Sequence, residues 1–217
     1  MGYKIELVGL CGAGKTTFIT ALGQGLLLND QIILEKPVIP DRTTYLVTLI
    51  KILCLALLSR PLGLLRFLAT DANWWLLKKI ALRQAGLKLR SANNCILVDS
   101  GSLQPFLSFE IEEKLDNSRV PMEALLGGCK LPDIVLSFYV APDLAIDRYR
   151  LRGERGEGKK LRENASYHFD RAVQMQERLM AYCKKMKVEI IEVNTSNPLS
   201  SEMVSSKLSE LKLTLRQ

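Results

Sequence analysis

The residues best suited to chemistry lie near the amino terminus, where glycines, a lysine and two threonines follow a short apolar stretch. The run from Gly9 to Thr16 matches the pattern G-x-x-x-x-G-K-[ST] between a predicted strand and a predicted helix. Glycines let the backbone wrap closely around an anion, and a helix N-terminus favours negative charge. The run therefore predicts an ATP or GTP site formed by Gly9, Cys11, Gly12, Ala13, Gly14, Lys15, Thr16 and Thr17.

Lys15 and Asp99 are the candidate catalytic residues of this predicted site. In such a loop the lysine reaches the β and γ phosphates, and the hydroxyl of Thr16 binds Mg²⁺. Asp99 ends an apolar stretch, which places it at the sheet edge where open α/β proteins bind ligands. We expect Asp99 to hold Mg²⁺ through water or to take the proton of an attacking hydroxyl. A turn or helix-capping role is the alternative, since Ser-Gly-Ser follows.

A basic helix end supplies further candidates. Arg148 and Arg152 are four residues apart and share one helix face, and Arg155 lies in the glycine-rich segment 152–160. Planar guanidinium groups that arrive on closure stabilise charge on phosphoryl oxygens and exclude water. Residues 148–162 are therefore predicted to form a lid. The alternative is an ordinary solvated basic helix end.

The elements that must position these residues alternate along the chain. Short apolar, β-rich runs predict strands at 3–9, 31–34, 95–99, 134–140 and 188–193. Helical patterns occupy 15–28, 43–88 in two or three pieces, 103–126 with breaks, 143–152, 162–185 and about 200–213. This alternation predicts an α/β fold with a parallel sheet and helices on both faces. A length of 217 residues fits a single domain, 1–217.

Composition narrows the class of protein. Apolar residues make up 47% and charged residues 24%, which excludes a disordered chain. Five cysteines without a Cys-x-x-Cys pair, and one histidine, argue against a disulfide scaffold or a metal site built from Cys and His. With no visible targeting segment, the expected location is the cytoplasm. The net charge of +7 suits an anionic nucleotide, and no nucleic-acid motif accompanies it, so no nucleic-acid partner is expected.

The segment 43–94 is a predicted apolar helical insertion. Helices that are apolar all round are buried, either in a core or against another subunit, so we expect a homodimer. The alternative is peripheral membrane contact, because Trp74 and Trp75 precede a basic cluster that includes Lys78 and Lys79. The apolar run 45–58 is shorter than the ~20 residues needed to cross a bilayer.

The chain resembles the nucleoside monophosphate kinase group of P-loop kinases, most nearly thymidylate kinase-like proteins. The resemblance is carried by GLCGAGKTT at 9–17, EKP at 35–37, Asp99, DRYRLRG at 147–153 and FDRAV at 169–173. It implies a three-layer P-loop NTPase fold, with a five-stranded parallel sheet in the order 2-3-1-4-5 and a lid that closes over ATP. The base-reading motif of switch GTPases is absent from the sequence.

The resemblance also implies where the acceptor and the adenine bind. It places Glu35 near the phosphoryl acceptor, Arg42 as a possible phosphate clamp and Asn194 beside the adenine. Ordinary turn or capping roles remain the alternatives for Glu35 and Asn194. Thymidylate kinases typically follow the third-strand Asp with Arg and an aromatic residue, whereas this chain has Ser100 and Gly101.

The stretch 99–104 therefore indicates an acceptor other than thymidylate, with Gln104 as a candidate substrate-binding residue. Another nucleotide, a nucleoside, a sugar or a lipid-linked hydroxyl compound would be consistent with it. The sequence predicts an ATP- and Mg²⁺-dependent small-molecule kinase. Two alternatives stay open: a nucleotide-hydrolysing regulatory or binding protein, and a membrane-surface kinase with a lipid- or sugar-linked acceptor.

Overall fold

Strands and helices alternate along most of the chain. The computed structural model describes residues 3–26, 32–35, 40–69, 71–88, 95–111, 122–154, 164–197 and 200–214. The strands are β1 (Lys4–Gly9), β2 (Ile32–Glu35), β3 (Cys95–Val98), β4 (Ile134–Tyr139) and β5 (Glu189–Asn194). The helices are α1 (Lys15–Leu26), α2 (Arg42–Ser59), α3 (Pro61–Leu68), α4 (Asp71–Lys88), α5 (Gln104–Ile111), α6 (Met122–Gly127), α7 (Pro142–Glu154), α8 (Ala165–Lys185) and α9 (Ser201–Thr214).

The described strands form one parallel sheet in the order β2-β3-β1-β4-β5. Strand β1 lies at its centre, pairing with β3 on one side and β4 on the other. The carboxyl ends of parallel strands meet at one edge, so the loops after β1 and β3 are brought side by side. The α/β class with a parallel sheet and helices, expected from the alternation of patterns, is confirmed.

Side chains of β1 alternate between two apolar layers, as the pleat of a strand requires. Ile5 and Leu7 pack in the layer that contains residues of α1, α7 and α9. Val8 packs in the other layer, with residues of α2, α4, α5 and α6. Glu6, which lies between Leu7 and Ile5 in this strand, is completely buried. A buried carboxyl group requires hydrogen-bonding partners, and these lie in the functional site.

The apolar insertion folds as the three helices α2, α3 and α4. Asp41 caps α2, because Thr44 donates its backbone N–H to Asp41 Oδ1 at 2.9 Å and its hydroxyl to Oδ2 at 2.6 Å. Helix α4 packs between α2 and α5. Trp74 and Trp75 pack against the core rather than facing outward, and the Trp75 ring stacks on Phe109 with centroids 5.9 Å apart.

The exposed apolar surface of the insertion lies instead on α2 and α3. Only Thr48, Ile52 and Ala56 are buried among the 18 residues of α2. Seven large aliphatic side chains of the two helices are exposed: Leu46, Val47, Ile50, Leu57, Leu58, Leu62 and Leu65. One face of α2 and one face of α3 therefore have no neighbouring element among the described residues, so burial of these faces against another subunit stays a prediction.

Candidate functional site

The loop between β1 and α1 has the backbone shape that its glycines allow. Gly12 has φ of 86° and Gly14 has φ of 79°, a region that residues with a Cβ rarely adopt. Ala13 donates its backbone N–H to the carbonyl of Leu10 at 3.1 Å, which closes the turn. Helix α1 begins at Lys15, so its free N–H groups and dipole face the loop. The loop therefore has the backbone shape that a phosphate-binding cradle requires.

Lys15 reaches back over this loop. Its ammonium group donates to the carbonyl of Gly9 at 2.7 Å and to the carbonyl of Leu10 at 2.9 Å. An ammonium group has three N–H donors, so one remains for a phosphate oxygen. Burial lowers the pKa of Lys15, while the charges of Cys11 and Asp99 oppose that shift and Arg152 adds to it.

Asp99 and Arg152 thus lie within electrostatic range of Lys15 although they are distant in sequence. Asp99 follows β3 directly, and Arg152 lies in the last turn of α7. Both side chains are partly exposed. The structure therefore brings together three of the residues predicted to be catalytic, at the carboxyl edge of the sheet.

The predicted Mg²⁺ donors fit the chemistry of that ion. The Thr16 side chain is exposed in the first turn of α1, and Asp99 is partly exposed beside the same loop. Mg²⁺ prefers oxygen ligands and takes one or two from the protein together with phosphate oxygens and waters. No cluster of three or more His, Cys, Asp and Glu side chains occurs among the described residues, so no all-protein metal cage is found there.

Glu6 is a site residue that the sequence analysis did not identify. Its carboxylate accepts the backbone N–H of Leu103 at 2.6 Å and lies 3.4 Å from the Ser102 hydroxyl. Burial raises the pKa of Glu6, whereas Lys4 and the backbone N–H groups of Leu103, Gln104 and Ser102 hold it down. Glu6 therefore fixes the loop that follows Asp99. An acidic residue inside an apolar central strand was the available signal, since such a group must find partners.

Gly101 makes room for this carboxylate. A Cβ on Gly101 would overlap the carboxylate carbon and oxygens of Glu6. The Ser-Gly pair that departs from the thymidylate kinase pattern thus has a structural reason, because a larger residue at position 101 would collide with Glu6.

Gln104 has a different role from the one predicted. It is buried, its Oε1 accepts the Gly9 backbone N–H at 3.2 Å, and its Nε2 donates to the Gly9 carbonyl at 3.0 Å. Both ends of the amide are therefore used by the phosphate loop. The assignment of Gln104 as a substrate-binding residue is corrected: it positions the loop, because its polar atoms face Gly9.

Arg83 of α4 is a second residue to which the sequence analysis gave no role in this site. Burial lowers the pKa of Arg83, and the negative charges of Asp99 and Glu6 partly oppose that shift. The guanidinium is partly buried and within electrostatic range of both carboxyl groups. A cation therefore stands near Asp99 even though residue 100 is Ser.

Arg148 and Thr195 join the phosphate loop to the end of β5. The Arg148 guanidinium donates to the carbonyl of Thr195 at 3.0 Å and lies 3.4 Å from the carbonyl of Gly12. The Thr195 hydroxyl lies 2.9 Å from the carbonyl of Ala13 and 3.1 Å from that of Tyr139. Thr195 is buried and was not singled out from sequence. These contacts make Arg148 a brace of the loop, and its participation in transfer stays a prediction.

The remaining predicted residues lie around this core of the site. Asn194 ends β5 and accepts the backbone N–H of Ser196 at 2.9 Å, as in an Asx turn. Arg42 is exposed in the first turn of α2. Glu35 ends β2, where it pairs in register with Val98, but its side chain lies outside the described residues, as does Arg155. Their roles stay predictions.

The described residues form an α/β fold with a glycine-rich loop between β1 and α1. Three solved structures that share this fold are of deoxyadenosine kinase from M. mycoides. The one with bound dATP has a TM-score of 0.62 and 15% identity, covering 97% of this chain and 99% of that chain. The one with bound dCTP has a TM-score of 0.57 and 15% identity, with coverages of 96% and 98%. The third, with dCMP and a flexible dCDP, has a TM-score of 0.58 and 14% identity, with coverages of 96% and 98%.

At these identities the likeness shows the fold and no more. No protein-family model matches the chain. No curated protein matches it either.

Proposed function

We propose that the chain is an ATP- and Mg²⁺-dependent phosphotransferase that transfers the γ-phosphoryl group to a small nucleoside-like acceptor. The observation that carries the proposal is the placement of Lys15 and Asp99 within electrostatic range at one sheet edge. The loop beside them is a phosphate cradle, and the fold is shared with deoxyadenosine kinases solved with bound nucleotides.

Residues at the start of α1, after β3 and at the end of α7 have separate roles in the proposed transfer. The backbone N–H groups at the start of α1 and the remaining N–H of Lys15 hold the triphosphate. Arg152, close to Lys15, adds positive charge where the transferring group develops negative charge. Asp99 takes or orients the proton of the acceptor hydroxyl. Thr16 and Asp99 would hold Mg²⁺, which when bound neutralises charge on the phosphate oxygens.

A hydroxyl acceptor, such as that of a deoxynucleoside, fits this edge better than thymidylate does. Position 100 is Ser where thymidylate kinases carry Arg, and Gly101 is fixed by its contact with Glu6. Among the described residues, Arg83 is a cation within electrostatic range of Asp99, and the negative charges of Asp99 and Glu6 partly balance it. A neutral acceptor hydroxyl needs a carboxylate partner more than an additional cationic clamp.

Transfer is tested with γ-labelled ATP or GTP and a panel of deoxynucleosides, ribonucleosides and nucleoside monophosphates. We expect label on one class of acceptor. Asp99→Asn should lower kcat by about 10²- to 10⁴-fold with little change in ATP affinity. Asp147→Asn is the matched control, because Asp147 is exposed on α7 and forms a salt bridge with the exposed Arg150 at 3.6 Å.

A nucleotide-hydrolysing regulatory protein is the competing function, and the exposed face of α2 and α3 is the observation that favours it. Such a protein would release label only as inorganic phosphate with every acceptor tested. That result, with an intact loop that binds Mg·ATP, would replace the kinase proposal.

A further inference from the structure

Helix α2 combines the composition of a membrane helix with an exposed position. By length and composition it is the one helix among the described residues that could cross a membrane, yet only 17% of it is buried. An apolar core helix would be mostly buried, and a signal sequence would lie at the amino terminus. Helix α2 follows β2 and is packed into the insertion, so neither explanation accounts for its exposed apolar face.

The exposed side chains form one continuous stripe. With about 3.6 residues per turn, Leu46, Val47, Ile50, Leu57 and Leu58 fall within an arc of about 120° on α2. Cys54, also exposed, lies in the same arc. We include in the stripe Leu62 and Leu65 of α3, the helix that follows α2, because these side chains are 72% and 60% exposed. Soluble monomers rarely expose a contiguous apolar surface larger than about a few hundred Å², and larger ones mark interaction sites.

Basic residues outnumber acidic ones around the stripe, where the exposed Asp41 that caps α2 is the acidic neighbour. Residues 42–68 contain four basic residues and no acidic residue. Arg42 and Arg60 are exposed at the two ends of α2, and Lys51 is exposed at the edge of the arc. Long basic side chains at the border of an apolar face reach outward to anionic headgroups while their stems stay in apolar surroundings.

We propose that the stripe on α2 and α3 docks on the surface of a bilayer that contains anionic lipids. The helix lies on the bilayer and does not cross it, because its inner face is held by the rest of the protein. Thr48, Ile52 and Ala56 are spaced at four-residue intervals on that face, and α2 packs against α4 and α6. A Cβ on Gly128 would come within 2.7 Å of Ile52 Cα, which shows how closely the inner face approaches its neighbour.

A second copy of the chain fits this stripe less well than a membrane does. A two-fold interface presents the same surface from both partners. Two α2–α3 stripes would therefore bring Arg42, Lys51 and Arg60 together from each side, and the capping Asp41 would supply one negative charge against these three positive charges in each copy. An anionic lipid surface supplies the charge opposite to that of these basic residues.

The experiment is co-sedimentation of the full chain with phosphatidylcholine vesicles made with or without phosphatidylglycerol. We expect binding to the anionic vesicles that weakens with added salt. Leu58→Glu with Leu62→Glu should lower the partition coefficient at least about tenfold. The matched control is Leu151→Glu with Met186→Glu, which adds the same charge at two residues of similar type that are 51% and 50% exposed elsewhere. At every salt concentration, this control should bind the anionic vesicles more tightly than Leu58→Glu with Leu62→Glu does.

Replacing Lys51 and Arg60 by Gln should reduce binding to anionic vesicles while leaving binding to neutral vesicles unchanged. Thermal protection by Mg·ATP shows that each variant is folded. Absence of wild-type binding to either vesicle would overturn the proposal. So would a stable wild-type dimer, measured by analytical ultracentrifugation, that Leu58→Glu with Leu62→Glu dissociates while vesicle binding is equal in all variants. Vesicle binding needs no turnover, so its failure would leave the kinase proposal standing.

Discussion

Gln104 holds the backbone of Gly9 through both ends of its side-chain amide, with the Gly9 N–H 3.2 Å from Oε1 and the Gly9 carbonyl 3.0 Å from Nε2. The same carbonyl accepts a hydrogen bond from Lys15 at 2.7 Å. The first residue of α5 therefore holds the carbonyl group to which Lys15 donates. These three residues connect the start of α5 with the loop between β1 and α1.

Replacing Gln104 by Ala should weaken both the fold and nucleotide binding. The two Gly9 groups would lose buried partners, at a cost of about 1–3 kcal/mol in the free energy of unfolding. Urea unfolding and calorimetry with Mg·ATP measure the two effects. Gln174→Ala is the control, since Gln174 is exposed on α8. Unchanged ATP affinity in Gln104→Ala would show that Gly9 keeps its position without the amide.

Replacing Lys15 by Ala should abolish phosphoryl transfer and leave the fold intact, because Lys15 lies at the start of α1 and, among the described residues, its ammonium group donates to the loop carbonyls of Gly9 and Leu10. Steady-state kinetics measure the loss of transfer, and a thermal melt shows whether the fold is intact. Lys207→Ala removes a lysine whose described partner is the exposed Glu210 on α9, and it should retain wild-type turnover. Normal turnover in Lys15→Ala would remove the mechanism proposed here.

Replacing Gly101 by Ala should destabilise the protein by about 1–3 kcal/mol, because the new Cβ overlaps the Glu6 carboxylate. Adding Glu6→Ala to Gly101→Ala should relieve part of that loss, so that the two changes are not additive in urea unfolding. Gly127→Ala is the matched control, since no atom lies within 4 Å of its Cβ position. Additive effects of the first two changes would contradict the contact.

Stability should fall as the pH rises, in part because of Glu6. Its pKa is raised in the folded protein, so the folded state binds this proton more tightly than the unfolded chain does. The contribution is fully present below the ordinary pKa of Glu and is lost as the pH rises through the folded value. Glu6→Gln should therefore flatten the pH dependence of urea unfolding above the ordinary pKa of Glu. Glu192→Gln, at an exposed position on β5, should keep the wild-type slope.

Replacing Arg83 by Ala should lower kcat/KM for the acceptor by at least about tenfold without changing ATP affinity. The reason is that Asp99 and Glu6 would lose the cation that lies within electrostatic range of both. Competition assays with each substrate separate kcat/KM for the acceptor from the affinity for ATP. Arg150→Ala is the control, because Arg150 is exposed and pairs with the exposed Asp147 at 3.6 Å. Equal kinetics for the two variants would exclude Arg83 from the site.

Local sequence patterns were sufficient to predict the strands, the helices and the loop between β1 and α1. Glycines at 9, 12 and 14, the lysine that follows and the flanking strand and helix patterns are all contained in one short stretch. The short apolar runs predicted both ends of each described strand to within one residue, as for 31–34 against Ile32–Glu35. The same patterns could not tell that most of the exposed apolar side chains of the insertion lie on α2 and α3 rather than on α4, since these helices are apolar on several faces.

The sequence by itself determined that a strand, a phosphate loop and a helix occur in this order, because backbone shape there depends on neighbouring residues. Tertiary structure alone decided the partners of Gln104, Glu6 and Thr195. Gly9 and Gln104 are 95 residues apart, Glu6 and Leu103 are 97 apart, and Thr195 and Ala13 are 182 apart. A buried polar group must be paired, but which distant group pairs with it depends on how the strands are ordered and how closely their loops approach.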